Sequence, residues 1–362
     1  MGGRDIGCRL LVGLGLMSLL AGCGAGTSPT RPPASPTPTS VPSAAVASPT
    51  LASAPSPTPT PEPVTYGPVT LVTGTQRCPG VNWDWTTDPD GSMHLRDLPI
   101  ECIDTTDDPR VSGTHNAFAN KDAWGTLASG AGVQWASVHL ENAGGAWEGR
   151  QLGVASVPGL GDTMEFWYKG TGGYEGLSYF ALYTGSEPWM IRGLIFPGDP
   201  PPPYAEGTMI ARRQADGPVA ENAVAVVTGS AVCPGLGFAF TTGPDGTQHV
   251  RDDYHADRCA VTTNDPRVSG SRTSTWNIDL WGSLDAGRWG LVQWGTVRLE
   301  NGGGAWEGRA AGVASYPERG DIFVNWYTGT GGYAGLGYFE LWTGFEPWTI
   351  QGQVFPGDPP TP

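Results

Sequence analysis

From about residue 69 onward the chain alternates apolar and polar positions with a period of two, and it does so in two similar passages. In Gln134-Trp135-Ala136-Ser137-Val138-His139-Leu140-Glu141, one face carries Ala136, Val138 and Leu140. The other carries Trp135, Ser137, His139 and Glu141. Residues 293–300 likewise set Gly295, Val297 and Leu299 against Trp294, Thr296, Arg298 and Glu300. Such a period predicts strands with one buried face. Residues 179–183 and 338–342 alternate in the same way, with Phe180, Leu182, Phe339 and Leu341 expected on the core face. Residues 163–169 supply another strand, and Trp189-Met190-Ile191 begins a last one. Turn words such as Pro89-Asp90-Gly91 and Pro244-Asp245-Gly246 separate the runs. No amphipathic helical period of ordinary length follows residue 22. The expected fold is all-β: two tandem antiparallel barrels of eight strands each, with β-sandwich modules as the alternative.

The duplication shows in words as well as in period. Gly144-Gly145-Ala146-Trp147-Glu148-Gly149-Arg150 returns as Gly303-Gly304-Ala305-Trp306-Glu307-Gly308-Arg309. Gly170-Thr171-Gly172-Gly173-Tyr174 returns as Gly329-Thr330-Gly331-Gly332-Tyr333 at the same spacing, so one three-dimensional unit has been copied. The offset between copies is 155 at Cys78/Cys233, 157 at Asp108/Asp265 and 159 from Trp135/Trp294 onward. Two short insertions are therefore expected in loops of the second copy. The expected divisions are a module over 65–201, a linker over 202–222 and a module over 223–362.

The N-terminus has a different pattern. Arg4 and Arg9 precede the apolar run Leu10–Leu20, too short for a membrane-spanning helix and suited to a signal-peptide core over residues 1–22. Leu20-Ala21-Gly22-Cys23 follows, and it resembles the lipobox of bacterial lipoproteins. That resemblance implies that Cys23 becomes the first mature residue and carries diacylglycerol. It places the protein on the outward side of a bacterial cell membrane, with the lipid as its membrane partner; two acyl chains suffice for stable anchoring. Residues 23–64 are nearly all Pro, Thr, Ser and Ala, a composition that cannot bury a core and predicts a disordered stalk. In polyproline II such a stalk reaches on the order of 100 Å.

Charge narrows the partners. Lys and Arg total 20 against 35 for Asp and Glu, a net charge of −15. That sign argues against nucleic acid and against a polybasic membrane patch. Of six cysteines, Cys8 lies in the signal and Cys23 in the lipobox. The other four fall two per module, and Cys78–Cys102 with Cys233–Cys259 is the simplest pairing for an exported protein. Each bridge would contribute roughly 3 kcal/mol. Metal binding is the rival reading of these cysteines, but they lack Cys-x-x-Cys spacing, so neither metal nor other cofactor is expected.

Candidate chemistry is sparse, and no hydrolase, P-loop or dinucleotide fingerprint is present. Asp88-Pro89-Asp90-Gly91 hints at a calcium loop, but Gly243 replaces Asp88 in the second copy, and a turn is expected. His94-Leu95-Arg96-Asp97 recurs as His249-Val250-Arg251-Asp252. Its His and Arg would form either an anion or general-base site, or a strand edge on which Arg pairs with a nearby Asp. Glu148 and Glu307 are candidate acid/base groups if they point into a barrel, and otherwise should pair with Arg. Trp147, Trp306, Tyr174 and Tyr333 are candidate binding aromatics. Trp135, Trp294, Tyr179, Tyr183, Tyr338 and Trp342 fall on the expected outer face, either to stack on sugars or to pack the modules together.

Gly170-Thr171-Gly172-Gly173-Tyr174, with the Gly145–Arg150 hairpin before it, resembles the glycine-rich hairpins of the dirigent and allene-oxide-cyclase superfamily. The resemblance implies an eight-stranded antiparallel barrel whose interior can hold an apolar ligand. It carries over no catalytic residue. The expected role is non-catalytic binding of a ligand, a glycan or a surface protein. The alternatives are a barrel isomerase or cyclase acting on a small apolar substrate, and a structural spacer.

Overall fold

The computed structural model describes residues 65–82, 84–124, 131–157, 161–202, 204, 224–234 and 237–360. The signal run, Cys23, the stalk and most of the expected linker lie outside the described residues. The first module contains eight long strands: β1 (Val69–Arg77), β2 (Met93–Thr106), β3 (Gly113–Trp124), β4 (Ala131–Asn142), β5 (Gly145–Val157), β6 (Gly161–Gly172), β7 (Leu177–Gly185) and β8 (Trp189–Pro197). The second repeats them as β9 (Ala225–Val232), β10 (Gln248–Thr263), β11 (Gly270–Ser283), β12 (Arg288–Asn301), β13 (Gly304–Tyr316), β14 (Gly320–Gly331), β15 (Leu336–Gly344) and β16 (Trp348–Pro356).

Each strand pairs antiparallel with its chain neighbours, and β1 also pairs with β8, so the meander closes on itself. β9 closes the second module through β10 and β16 in the same manner. Closure leaves no free edge along the ring, and it decides for eight-stranded rings over sandwiches. The short pairs Thr65–Tyr66, Thr86–Thr87 and Thr241–Thr242 extend the two sheets to 10 and 9 strands. Both expected disulfides are present, Cys78–Cys102 and Cys233–Cys259, and each fastens the end of the first ring strand to the second.

The hairpin glycines have steric reasons. A Cβ on Gly170 would lie 2.1 Å from the Tyr174 carbonyl oxygen, and Gly172 has φ +63°. One insertion expected in a loop lies inside a strand. β10 is 16 residues long where β2 is 14, and its pairing with β11 slips twice, between Val250 and Asp253 and between His255 and Cys259. β2 slips once, between Leu95 and Leu98. A bulge absorbs the extra residues without opening the ladder elsewhere.

The assignment of faces also needs correcting. Ala136, Val138 and Leu140 do face the interior of the first ring, together with Val72, Phe166 and Ile191 from other strands. On β7, however, Tyr179 and Tyr183 point inward, while the expected core residues Phe180 and Leu182 point outward. Tyr338 and Trp342 are inward on β15, and Phe339 and Leu341 outward. The reason is that β7 and β15 are buried on both faces, so apolar alternation no longer tells inside from outside.

What buries the outer faces is the other ring. Val133, Trp135, Phe180 and Leu182 share one cluster with Val292, Val324, Phe339 and Leu341, and Trp294 packs against it. Trp135 and Trp294 thus pack the modules together. The seam is reciprocal: Trp124 stacks on Phe355, ring centroids 6.3 Å apart, and its counterpart Trp281 meets Phe196, the counterpart of Phe355, at 6.0 Å. Matched contacts of this kind define an approximate twofold relation between the halves. Near that axis a single carboxylate serves both halves. Glu165 accepts from Trp167 Nε1 at 3.1 Å and from its counterpart Trp326 Nε1 at 2.7 Å, and from Tyr204 Oη at 3.2 Å. Val324 occupies the equivalent position in the second half. Tyr204, from the expected linker, is buried against Trp167. Arg319 crosses the seam to donate to the carbonyls of Gly193 and Val72, each at 2.9 Å.

Candidate functional site

Every second residue of β3 faces the interior of the first ring, and the sequence there is His115, Ala117, Ala119, Lys121, Ala123. Three alanines in this row leave space, and the result is a cavity of about 430 Å³. Met93 and Ile100 on β2 and Met164 and Phe166 on β6 supply further apolar wall. The mouth lies at the disulfide end, where Trp85, Lys121, Asp162 and Trp189 surround it. The opposite end is closed by Trp147, fully buried and stacked on Tyr174 with centroids 5.0 Å apart.

The polar groups around this cavity are few. Lys121 Nζ sits 5.7 Å from the centre of the Trp85 ring. Burial pulls the Lys121 amine below its usual range, and the nearby Asp162 carboxylate acts against that pull. Asp162 also accepts from Trp189 Nε1 at 3.0 Å. Gln134 Nε2 is buried with no hydrogen-bond partner, although it lines the cavity. A buried donor left unpaired costs about 1–3 kcal/mol, which a ligand acceptor would relieve. On the floor, the Gln76 amide nitrogen lies 2.9 Å from Asp104 Oδ1 and 2.7 Å from His115 Nδ1. His115 Nδ1 also lies 3.2 Å from Asp104 Oδ2, so the three side chains form one network. Tyr183 Oη donates to Asp104 Oδ2 at 2.5 Å, completing the network.

The second ring has the same frame and a different filling. Its β11 row reads Arg272, Ser274, Trp276, Ile278, Leu280, so the alanines and the lysine are replaced by bulkier or apolar side chains. The remaining cavity is about 320 Å³. Its floor holds Arg272, which donates to Asn325 Oδ1 at 2.9 Å, and Glu340, which accepts from Tyr327 and Tyr338 at 2.7 and 3.0 Å. Burial raises Glu340, against the opposing pull of Arg272 and the two tyrosines. Asp321 at the mouth is pushed up to about 6 by burial, and the donors Trp348 Nε1 and Gln293 Nε2 act in the opposite sense. Trp306 and Tyr333 plug the far end as their counterparts do, 5.1 Å between centroids.

The residues singled out by sequence lie elsewhere. His94 and Arg96 converge on Asp122, with His94 Nδ1 at 2.7 Å and Arg96 Nη2 at 2.5 Å from Oδ1. His249 and Arg251 do the same on Asp279, at 2.6 and 2.5 Å. In both copies the guanidinium lies 5.1 Å from a tryptophan centroid, Trp135 or Trp294. The following Asp97 and Asp252 have φ +48° and +47°, and each N–H meets an asparagine side chain, Asn120 or Asn277. The His-x-Arg-Asp word therefore forms a clasp around a β-bulge, with Arg paired to Asp; neither His94 nor His249 lines the lumen cavities, while Arg251 and Asp279 border a separate pocket beside Trp294.

Glu148 is 59% exposed and pairs with His139 at 2.7 Å, while its counterpart Glu307 pairs with Arg298. Burial lowers the His139 pKa, but hydrogen bonds to Glu148 and Glu141 outweigh it and the net shift is upward. Trp147 and Trp306 donate to the carbonyls of Arg110 and Arg267, both at 2.8 Å, and Tyr174 and Tyr333 donate to Asn142 and Asn301, both at 2.5 Å. Asp88–Ser92 forms a tight turn, with Gly91 N–H donating to the Asp88 carbonyl at 2.9 Å. Sequence reasoning missed Lys121, Asp162, Gln134 and the His115 network. The signal was there, in a strand whose small inward residues in one copy are matched by large ones in the other.

Protein-family models, curated proteins and solved structures provide no match to the chain.

Proposed function

We propose that this is a non-catalytic binding protein, held at the outer face of a bacterial membrane by lipid on Cys23, whose first ring takes a small amphipathic molecule. One observation carries the reading: a cavity of about 430 Å³ that is apolar along its walls and meets Lys121 and the unpaired Gln134 amide. Space, apolar lining and a few convergent polar groups are the ordinary attributes of a small-molecule site. Gln134 Nε2 is a hydrogen-bond donor, and Lys121 adds a cation when protonated. The complementary ligand has an apolar body and an acceptor or anionic group. A glycan has less support, because Trp135 and Trp294 are occupied in the seam and Tyr179, Tyr183, Tyr338 and Trp342 face inward.

Titration of the protein with decanoate and with decanol, followed by calorimetry, tests this. Saturable decanoate binding, weakened about tenfold by Lys121→Met and lost in Ala119→Trp, is the expected result. The lost charge contact accounts for the first effect, and a filled lumen for the second. Absence of saturable binding by either ligand would favour a spacer.

A further inference from the structure

We propose that the second ring holds a separate site of different selectivity, one for a small organic cation such as an aryl or alkyl ammonium compound. The proposal concerns a different lumen from the first and does not require the amphipathic ligand to bind there.

The argument begins with the wall. Where the first ring has Ala119 and Met164, the second has Trp276 and Phe323, and Phe238, Phe240, Trp289 and Trp348 complete an aromatic lining toward the mouth. Aromatic faces carry negative quadrupole charge and attract cations. This wall already does so with a cation of its own. The Arg272 guanidinium lies 4.4 Å from the Trp342 centroid, 5.5 Å from Trp276 and 5.8 Å from Phe323. Arg272 thus takes the faces of these deep rings, and Phe238, Phe240, Trp289 and Trp348 line the remaining space toward the mouth.

Charge at the mouth points the same way. Asp321 and Glu346 both line the cavity. Asp321 accepts one close hydrogen bond, from Trp348 Nε1 at 2.7 Å, and a long one from Gln293 at 3.4 Å. Glu346 accepts from the Cys233 N–H at 2.8 Å. On the floor the Tyr327 hydroxyl lies between Arg272 and Glu340, at 3.4 and 2.7 Å, so the deep charges oppose each other, and the described carboxylates lining the mouth are Asp321 and Glu346. In the first ring Lys121 stands beside the equivalent Asp162; in the second, that position is Ile278. An aromatic cup with a carboxylate at its rim and, among the described lining residues, no lysine matches an organic cation. It matches a neutral aromatic compound less well, because such a guest would cover Asp321 without compensating its charge.

The experiment uses the full chain and three probes of similar size: benzyltrimethylammonium, its neutral isostere neopentylbenzene, and phenylacetate. Calorimetry and tryptophan fluorescence give affinities. The expected result is saturable binding of the ammonium probe, at least about tenfold tighter than the isostere, and no phenylacetate binding at this site. Asp321→Asn should weaken the ammonium probe about tenfold and leave the isostere unchanged. Ile278→Lys should abolish ammonium binding. Lys121→Met should not alter it, which separates this site from the first lumen. Equal affinity for ammonium and isostere on the unaltered protein, or no saturable ammonium binding, overturns the proposal without any variant being needed.

Discussion

The two rings keep the same frame and differ in what fills it. Their hairpins, plugs, bulge clasps and disulfides correspond residue for residue, including the paired stacks Trp147–Tyr174 and Trp306–Tyr333. Their lumens diverge, with His115 and Asp104 on one floor and Arg272 and Glu340 on the other. Positions that close a barrel are constrained by backbone geometry, whereas an interior row answers only to its neighbours and to whatever occupies the space. Copies of one fold can therefore acquire different binding chemistry by exchanging inward residues of a single strand. The seam departs from this rule, because Glu165 has no carboxylate counterpart in the second half.

The largest expected effect comes from removing that asymmetry. Glu165→Val, which copies Val324, leaves the indole N–H groups of Trp167 and Trp326 unpaired. It should destabilise the protein by about 4 kcal/mol in urea titrations, with Glu165→Gln losing less because it retains an acceptor.

A pH series sharpens the contrast between the mouths. The Asp321 carboxyl titrates near about 6 in the folded chain, above the ordinary 3.8. The folded form holds the proton more tightly, so this group's contribution is full below about pH 4 and is lost as pH rises through about 6. The loss should be on the order of 2–3 kcal/mol. Asp321→Asn should flatten this part of the stability profile; a variant with the same slope as the parent would refute the assignment.

The smallest effects belong to the exposed pairs. Glu148→Gln and Glu307→Gln should each change stability by less than about 0.5 kcal/mol. Glu148→Gln should also lower the His139 pKa, measurable by NMR titration, since Glu148 is one of the two carboxylates that raise it.

Much of the frame was legible in the sequence. Alternation along Ala136, Val138 and Leu140 gave the inward face of β4, and the even distribution of cysteines gave both bridges. Alternation failed at Phe180 and Tyr179, where both faces of β7 are buried, and Tyr183 on the same strand turns inward to donate to Asp104. The cavity was harder to see, because Ala117, Ala119 and Lys121 matter only together, once β3 is known to face a lumen. His94-Leu95-Arg96-Asp97 attracted attention as chemistry, although its repetition reflects a bulge. Residues that maintain a kink recur as faithfully as residues that react.

The reciprocal seam has a consequence for a chain that has been cut. Contacts through Phe180, Phe339, Trp326 and Arg319 fasten the halves to each other independently of the segment that joins them. A protease that nicked the chain between residues 205 and 223 would yield two fragments still associated in one particle.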